Sequence, residues 1–505
     1  MAVIGTDKIC AVVAAERSGS MWNQLTRALR QTRTVELRLD WLKTEREIQA
    51  FLKRLANERP RATLIATCRR LQAGGRFRGL IASQLLVLAA ALRAGCAWYD
   101  LEIESSSGCP LELLDVLLGG GCRIASAHFF GKNPANQRRV VAALWKTRPD
   151  AIKIAANCSS LAAGMKLLRL ARGKRNTIVI PMGDVVLPLR CLALRAGGTL
   201  TYAPVENATA PGQVSLDTFK NLFKADRISR KTCVYGVIGN PIAHSLSPQL
   251  QNAGFQARKM DAVYFPFLVH DLPDFLGAVK LLGIRGFSVT LPHKQKILRY
   301  LDGCDPLASA IGAVNTVVVS STGNLFGYNT DYVGVLRTLQ ERVTLSQSHV
   351  LILGAGGAAR AVAFALTQSG ASVCICARRP KEAKKLARAV GAKEIPRSTL
   401  KSEFFDAIIN ATAVGMYPRM QNSPLAANEL NCRLVFDLIY RPAKTKLLQL
   451  ASRRGIETVS GLEMFLAQGI VQWEIWTGQR APAAAMRKAV LDALGTETGT
   501  AQGKL

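Results

Sequence analysis

HVLILGAGGAARAVAFAL, His349 to Leu366, reads in order as an apolar strand, a glycine-rich turn and an alanine-rich helix. That context lifts a short glycine motif above chance and predicts the opening βα unit of a Rossmann domain. Gly354 suits the tight turn and Gly356 leaves room for the backbone to approach a pyrophosphate. Ala359 permits close helix packing. About twenty residues on, the strand ASVCICARR (371 to 379) ends on Ala377, Arg378 and Arg379, where an NAD site would present an acid to the ribose diol. Guanidinium groups attract a 2′-phosphate that an acid would repel, so the expected cofactor is NADP.

Polar motifs flank this unit in a fixed order. GNPIAHSLSP (239 to 248), FSVTLPHK (287 to 294), GAVNT (312 to 316) and GYNTD (327 to 331) precede it; NATAVGM (410 to 416) and GLEMFLAQG (461 to 469) follow. Ser245 and Ser247 put two hydroxyls on an extended turn, a geometry suited to a carboxylate, though Ser247-Pro248 would also cap a helix. Lys294 and Asp331 supply an acid and its charge partner, which reduction of a ketone requires once an alkoxide develops. Thr290, Asn315 and Gln468 offer hydrogen bonds to a ring bearing several hydroxyls. The set predicts hydride transfer to a small polyhydroxy acid.

The first half alternates β-rich runs with helical stretches. The runs are KICAVVAA (8 to 15), TVELRLDWL (34 to 42), ATLIATCR (62 to 69), CAWYDLEIE (96 to 104), CRIASAHFF (122 to 130), AIKIAAN (151 to 157), NTIVIPMG (176 to 183) and LTYAPVE (200 to 206). Eight such units suit a compact (β/α)8 TIM barrel, whose C-terminal strand ends form one mouth. Glu36, Arg38, Arg69, Glu102, Glu104, His128 and Lys153 would converge there. Lys153 lies between Ile152 and Ile154, where desolvation of an ammonium favours the neutral amine that forms a Schiff base with a ketone. His128, one strand earlier, is the candidate base.

The chain has 505 residues, 49% of them hydrophobic, and a net charge of +31. Residues 1 to 228 hold 34 basic and 17 acidic groups, the remainder 32 and 18. An excess so evenly spread, without a basic tail or aromatic interleaving, argues against a specific nucleic-acid partner. The twelve Cys form no CxxC pair, no secretory signal is read, and the compartment is expected to be reducing and cytoplasmic. Cys374 and Cys376 read as apolar fillers, and no metal is expected. The apolar stretch Leu85 to Leu92 is too short to span a bilayer. The sequence leaves oligomeric state open.

ELR (36 to 38), TCR (67 to 69), ASAHF (125 to 129), IKI (152 to 154), MGDVVLPLR (182 to 190) and ATAPGQ (208 to 213) resemble the type I 3-dehydroquinate dehydratases. The resemblance implies that Lys153 condenses with the substrate ketone and His128 removes the neighbouring proton. Glu36, Arg38 and Arg69 would bind hydroxyls and the ketone region, Arg190 the carboxylate, and Thr209 and Gln213 would sit on a closing loop. Ala73 stands where the family has Glu, Thr209 where Ser is usual; Glu102 or Glu104 is expected to orient His128 instead.

The motifs from residue 233 onward resemble shikimate dehydrogenase. Carried over, Ser245, Ser247, Thr290, Asn315, Asp331, Tyr440 and Gln468 bind substrate, and Lys294 and Asp331 carry proton transfer. Gly354, Ala355, Gly356, Gly357 and Ala358, with Ala377, Arg378 and Arg379, hold NADP. Leu438, Tyr440 and Gly461 line the nicotinamide side. Ala377 departs from the Asn common there.

The expected architecture is therefore a TIM barrel over 1–228 fused to a two-domain α/β unit. Its parts are a substrate-binding domain over 233–338, a Rossmann NADP-binding domain over 339–458, and a helical segment over 459–492 before a frayed tail. The expected chemistry is dehydration of 3-dehydroquinate, then NADPH-dependent reduction of 3-dehydroshikimate. A quinate- or NAD-preferring dehydrogenase is the alternative within enzymes. A regulatory protein on retired enzyme domains is the alternative outside them.

Overall fold

The structure, a computed structural model, describes the chain apart from residues 1–3, 6, 110–113, 115, 117, 132–136, 173–175, 207–212 and 502–505, and only the backbone of 496–501. It forms two compact units, residues 1–234 with 261–283, and residues 235–260 with 284–505.

In the first unit the eight expected runs are eight parallel strands: β1 (Ile9–Val13), β2 (Thr34–Arg38), β3 (Thr63–Thr67), β4 (Trp98–Glu102), β5 (Cys122–Phe129), β6 (Ala151–Asn157), β7 (Thr177–Met182) and β8 (Thr201–Pro204). Their order is β7-β6-β5-β4-β3-β2-β1-β8. At the seam between β7 and β8 the Thr199 N–H donates to Thr177 O at 3.1 Å. Alternate residues on a strand share a face, and this alternation layers the interior. Ile65, Trp98, Ile124, Ala151 and Tyr202 belong to a buried apolar cluster. One step of two residues along the strands come Thr67, Asp100, Ser126 and Lys153, and a further step gives Arg69, Glu102 and His128. The barrel thus passes from hydrocarbon to charge toward its C-terminal mouth, where enzymes on this fold place their chemistry. Strand β10 (Ala262–Leu268) and the helix Leu272–Leu282 belong to the same unit. Asp274 on that helix caps the barrel helix Leu161–Leu168, accepting from the N–H groups of Leu161 and Ala162 at 2.7 and 2.9 Å.

The second unit contains two sheets. Strands β9 (Cys233–Gly239), β11 (Ile284–Val289), β13 (Thr316–Val319), β14 (Leu325–Tyr328) and β12 (Gly303–Cys304) lie side by side in that order. The other sheet runs β17-β16-β15-β18-β19-β20, all parallel. Its strands are β15 (His349–Leu353), β16 (Ser372–Cys376), β17 (Lys393–Glu394), β18 (Phe405–Asn410), β19 (Cys432–Asp437) and β20 (Glu457–Ser460). The order reverses at β15, which makes the carboxyl ends of β15 and β18 the crevice where a doubly wound sheet takes its ligand. The helix Leu462–Thr477 follows β20, and the last helix, Ala483–Ala501, continues past Gly495, where a frayed tail is expected. Among the described residues no helix is long and apolar enough to cross a membrane.

Candidate functional site

The barrel mouth gathers most of its expected residues into one buried network. Lys153 is 3% exposed. Its Nζ meets Asp100 Oδ2, lies 3.1 Å from Glu36 Oε1, and sits 4.5 Å from the centre of the Tyr202 ring. The flanking isoleucines therefore do not surround the amine, contrary to the sequence reading: residues 152 and 154 point to the other face of β6. Thr67 donates to Glu36 Oε1 at 2.9 Å, fixing that acceptor.

Arg69 is the hub. One nitrogen is 2.9 Å from Asp100 Oδ1; the other is 2.9 Å from His128 Nδ1 and 3.2 Å from Ser126 Oγ. Burial pushes the Asp100 pKa up, but Arg69, Lys153 and His128 outweigh it and hold the carboxyl well below the usual range. Burial, then Arg69 and Lys153, pull the His128 pKa well below 6.5. The imidazole stays neutral at neutral pH; since a guanidinium can only donate, Nδ1 is the acceptor of the Arg69 bond and the ring proton lies on Nε2. Arg38 is tied to Asp40 by two parallel bonds of 2.9 and 2.8 Å.

Glu102 and Glu104 do not orient His128. Glu102 accepts from the Arg70 N–H at 2.9 Å and from Gln84 Nε2 at 2.7 Å, and Glu104 is exposed. The guanidinium of Arg69 takes the orienting position. Ala73 ends a 3-10 turn at Leu71–Ala73. Arg190 is buried on the helix Leu187–Ala196, and burial lowers its pKa to about 10; a carboxylate arriving beside it gains more than beside an exposed Arg. Gln213 is half-buried, and Thr209 lies outside the described residues.

The second unit holds another amine and carboxylate. Lys294 Nζ is 2.5 Å from Asp331 Oδ2. Asn315 Nδ2 donates to Asp331 Oδ1 at 2.8 Å and to Thr330 Oγ1 at 2.9 Å, and lies 3.4 Å from Gln468 Oε1. Gln472, one helical turn past Gln468, donates to Asn315 O at 3.1 Å and accepts from Ser288 Oγ at 2.7 Å. Ser245 accepts the Ser247 N–H at 3.3 Å and bonds to the Tyr440 hydroxyl, whose pKa burial raises. Tyr440 stacks on Phe465 at 4.3 Å, on the helix that carries Gln468. Thr290 follows β11, its backbone N–H bonded to Ile238 O at 3.0 Å.

A line of contacts thus runs from Ser245 through Tyr440, Phe465, Gln468, Asn315 and Asp331 to Lys294. The glycine turn borders its far end. A Cβ on Gly357 would come within 2.8 Å of Lys294 Cβ, so glycine there lets the nucleotide loop approach the amine. Gly354 has φ +112, and a Cβ on Gly356 would meet nothing within 4 Å. The first turn of the helix Gly357–Gln368 has no side-chain cap, which leaves its N–H groups for an anion, and Ala359 is fully buried as expected. Ala377 is half-buried, and Arg378 and Arg379 are exposed at the end of β16. These residues fit a dinucleotide carrying an extra phosphate. A Cβ on Gly461 would fall 2.2 Å from Leu438 O, so Leu438 and Gly461 are packed together.

Sequence reasoning passed over Asp100, Ser126 and Tyr202 in the barrel and Thr330, Gln472 and Asp437 in the second unit. Stepping back two residues from Glu102 and His128 reaches Asp100 and Ser126, a signal that was available. Asp437 accepts from Asn410 at 2.9 Å, Thr445 at 2.7 Å and the Ile439 N–H at 3.1 Å, and burial raises its pKa to about 6.

Four family models match in the order of these sites. They are Type I 3-dehydroquinase over residues 9–230, Shikimate dehydrogenase substrate binding domain over 237–317, Shikimate / quinate 5-dehydrogenase over 337–438, and Shikimate 5'-dehydrogenase C-terminal domain over 461–491. The Arabidopsis thaliana protein named bifunctional 3-dehydroquinate dehydratase/shikimate dehydrogenase, chloroplastic, is 34% identical over 94% of this chain and 82% of its own length. A shikimate dehydrogenase (NADP(+)) of Moorella thermoacetica is 41% identical over 54% of this chain and 97% of its own. The crystal structure of the Thermus thermophilus shikimate 5-dehydrogenase with NADP(H) and shikimate covers 52% of this chain and 100% of that one, at 35% identity and a TM-score of 0.48. With a relative this similar along nearly its whole length, the chain belongs to the bifunctional 3-dehydroquinate dehydratase/shikimate dehydrogenase family.

Proposed function

We propose that the chain catalyses two successive steps, dehydration of 3-dehydroquinate in the barrel and NADPH-dependent reduction of the resulting 3-dehydroshikimate in the second unit. The observation that carries this reading is that each unit holds a largely buried amine against a carboxylate within its cluster of expected site residues, Lys153 with Asp100 and Glu36, and Lys294 with Asp331.

In the barrel, the Lys153 amine attacks the ketone carbon and, after loss of water, an iminium forms. His128, its Nδ1 released as the ring oxygens take up the Arg69 guanidinium, removes the adjacent proton; the iminium accepts the electron pair, and His128 passes the proton to the hydroxyl on the far carbon, which departs as water. Hydrolysis then frees Lys153. Arg38 and Arg69 bind the ring oxygens together with Glu36, and Arg190 takes the carboxylate. Gln213 contributes from the rim of the mouth.

In the second unit, Ser245, Ser247, Thr290, Asn315, Tyr440 and Gln468 hold the ring. NADPH, when bound along 354–358 with its 2′-phosphate beside Arg378 and Arg379, supplies the hydride. Lys294 gives a proton to the developing alkoxide while Asp331 holds the ammonium in place. The organisation we propose is 1–228, 233–338, 339–458 and 459–492 for dehydratase, substrate-binding, NADP-binding and closing segments. A cytoplasmic compartment is proposed from twelve free thiols, testable by localising a tagged chain; the Arabidopsis relative is named chloroplastic.

Assaying both half reactions on one purified sample, with shikimate against quinate and NADPH against NADH, tests the whole reading. Undetectable turnover in both would overturn it. Two narrower results are expected. His128→Gln lowers dehydratase kcat by about 10²- to 10⁴-fold. Because the folded His128 pKa is lowered, wild-type dehydration persists below pH 6.5. Over the same range stability falls, since the unfolded chain takes up a proton there that the folded one refuses. A dehydratase profile that halves at pH 6.5 would mean that the His128 pKa is not lowered. Arg378→Ala with Arg379→Ala raises the KM for NADPH about 10- to 100-fold, the worth of one or two charge-assisted bonds, and leaves the KM for NADH in place; equal shifts for both would remove these arginines from the phosphate.

A further inference from the structure

His349 is the first residue of β15, opposite Ser372 on β16 in the parallel register. Cys374, two residues along β16, shares the Ser372 face, and Glu403 arrives from the segment leading into β18. His349 Nε2 is 3.0 Å from Glu403 Oε1 and 3.9 Å from Cys374 Sγ, and the donor atoms of all three lie within 4.8 Å of one another. Bond lengths of roughly 2.0 Å to N and O and 2.3 Å to S place tetrahedral ligands about 3.3 to 3.6 Å apart, so closing on an ion needs shifts of a few tenths of an ångström around the His nitrogen and up to about an ångström between Cys374 and Glu403. The imidazole is already held. Its Nδ1 lies 3.3 Å from Ser372 Oγ, its ring stacks on Phe405 at 4.9 Å and 13°, and its backbone N–H donates to Asp406 at 2.8 Å. Such outer partners fix the tautomer that presents Nε2 to a metal.

The plain alternative is a His–Glu ion pair beside a packed thiol. One Nε2 facing a carboxylate and a thiol can serve one of them by hydrogen bonding, whereas a cation between them serves all three. The His349 and Glu403 side chains are 32% and 30% exposed, so a hydrated ion reaches them and can keep a water as a further ligand. Among the described residues no other trio of ligating side chains comes together in this way.

We propose that His349, Cys374 and Glu403 form a binding site for a divalent cation of the zinc class, which a Cys, His and carboxylate set favours over magnesium or calcium. Binding forms the sulfur–metal bond and releases the Cys374 thiol proton to solvent, with no change of oxidation state. The site lies at the amino ends of β15 and β18, and the glycine turn follows the carboxyl end of β15. The ion therefore staples β15, β16 and the approach to β18 and takes no part in hydride transfer.

Cobalt(II) titrated into the metal-free full chain is expected to give a thiolate-to-cobalt charge-transfer band that saturates near one equivalent and is displaced by zinc. Cys374→Ser should lose the band, and His349→Ala and Glu403→Gln should weaken binding at least about tenfold, with dehydrogenase kcat unchanged in all three. Zinc should raise the thermal midpoint of the wild type and not that of His349→Ala. No band in the wild type, or a band that survives both Cys374→Ser and His349→Ala, overturns the site. Should Cys374→Ser fail to fold, the two variants at partly exposed positions decide: unchanged affinity in both overturns it.

Discussion

Lys153→Ala is expected to abolish dehydration of 3-dehydroquinate, by on the order of 10⁵-fold or more, while the same sample reduces 3-dehydroshikimate at the wild-type rate. No other amine is seen at the barrel mouth among the described residues: the remaining cations assigned to the site, Arg38, Arg69 and Arg190, carry guanidinium groups, the first two already engaged by Asp40 and Asp100. A guanidinium cannot form the imine, so the bond-forming step has no substitute. Removing Lys153 also leaves Glu36 and Asp100 with less positive charge around them, and breaking a buried pair costs about 3–5 kcal/mol. Arg69 still pairs with Asp100, which limits that cost, and the retained dehydrogenase activity reports whether the chain remains intact. Borohydride added to wild type with dehydroquinate should fix the substrate skeleton on Lys153, detected as a mass increment on its peptide. Turnover of Lys153→Ala within tenfold of wild type, or an adduct on a different residue, would refute the imine route.

The barrel strands were legible because each is a short β-rich run bounded by helical sequence, and the mouth residues because charge inside such a run has few structural reasons to be there. The error at Lys153 has a physical cause. Sequence neighbours on a strand lie on the opposite face, so Ile152 and Ile154 say little about what the amine touches; that is decided by Glu36 and Asp100, far away along the chain. The misplaced role of Glu102 has the same origin, since Gln84 and the Arg70 N–H claim its oxygens from another element. In the second unit the ordered motifs exposed Lys294, Asp331 and Asn315. They could not expose the contact between Gly357 and Lys294, which depends on how the two sheets meet. Cys374 packs in a buried apolar cluster, as its reading as a filler expected; that His349 and Glu403 fold beside it was not legible, because both come from other parts of the chain.

Lys294→Ala is expected to lower dehydrogenase kcat by about 10²- to 10⁴-fold, the usual worth of a positioned general acid, while dehydratase kcat stays at the wild-type value. The proton is needed where negative charge develops on the carbonyl oxygen, so the loss should fall on kcat and kcat/KM together, with the KM for shikimate changed much less. Ring binding through Ser245, Tyr440, Asn315 and Gln468 does not pass through the amine. The 2.8 Å bond from Asn315 to Asp331 does not involve the amine, so the carboxylate is expected to stay oriented beside the vacated position. Small primary amines added to the assay should then restore part of the rate, and more as their ammonium becomes the better acid. Rescue of this kind would separate proton donation from a packing role against Gly357, because an exogenous amine restores the proton without restoring the side chain's contacts. Loss confined to KM would make Lys294 a binding group instead, and equal loss of both activities would mean that the two units do not work independently.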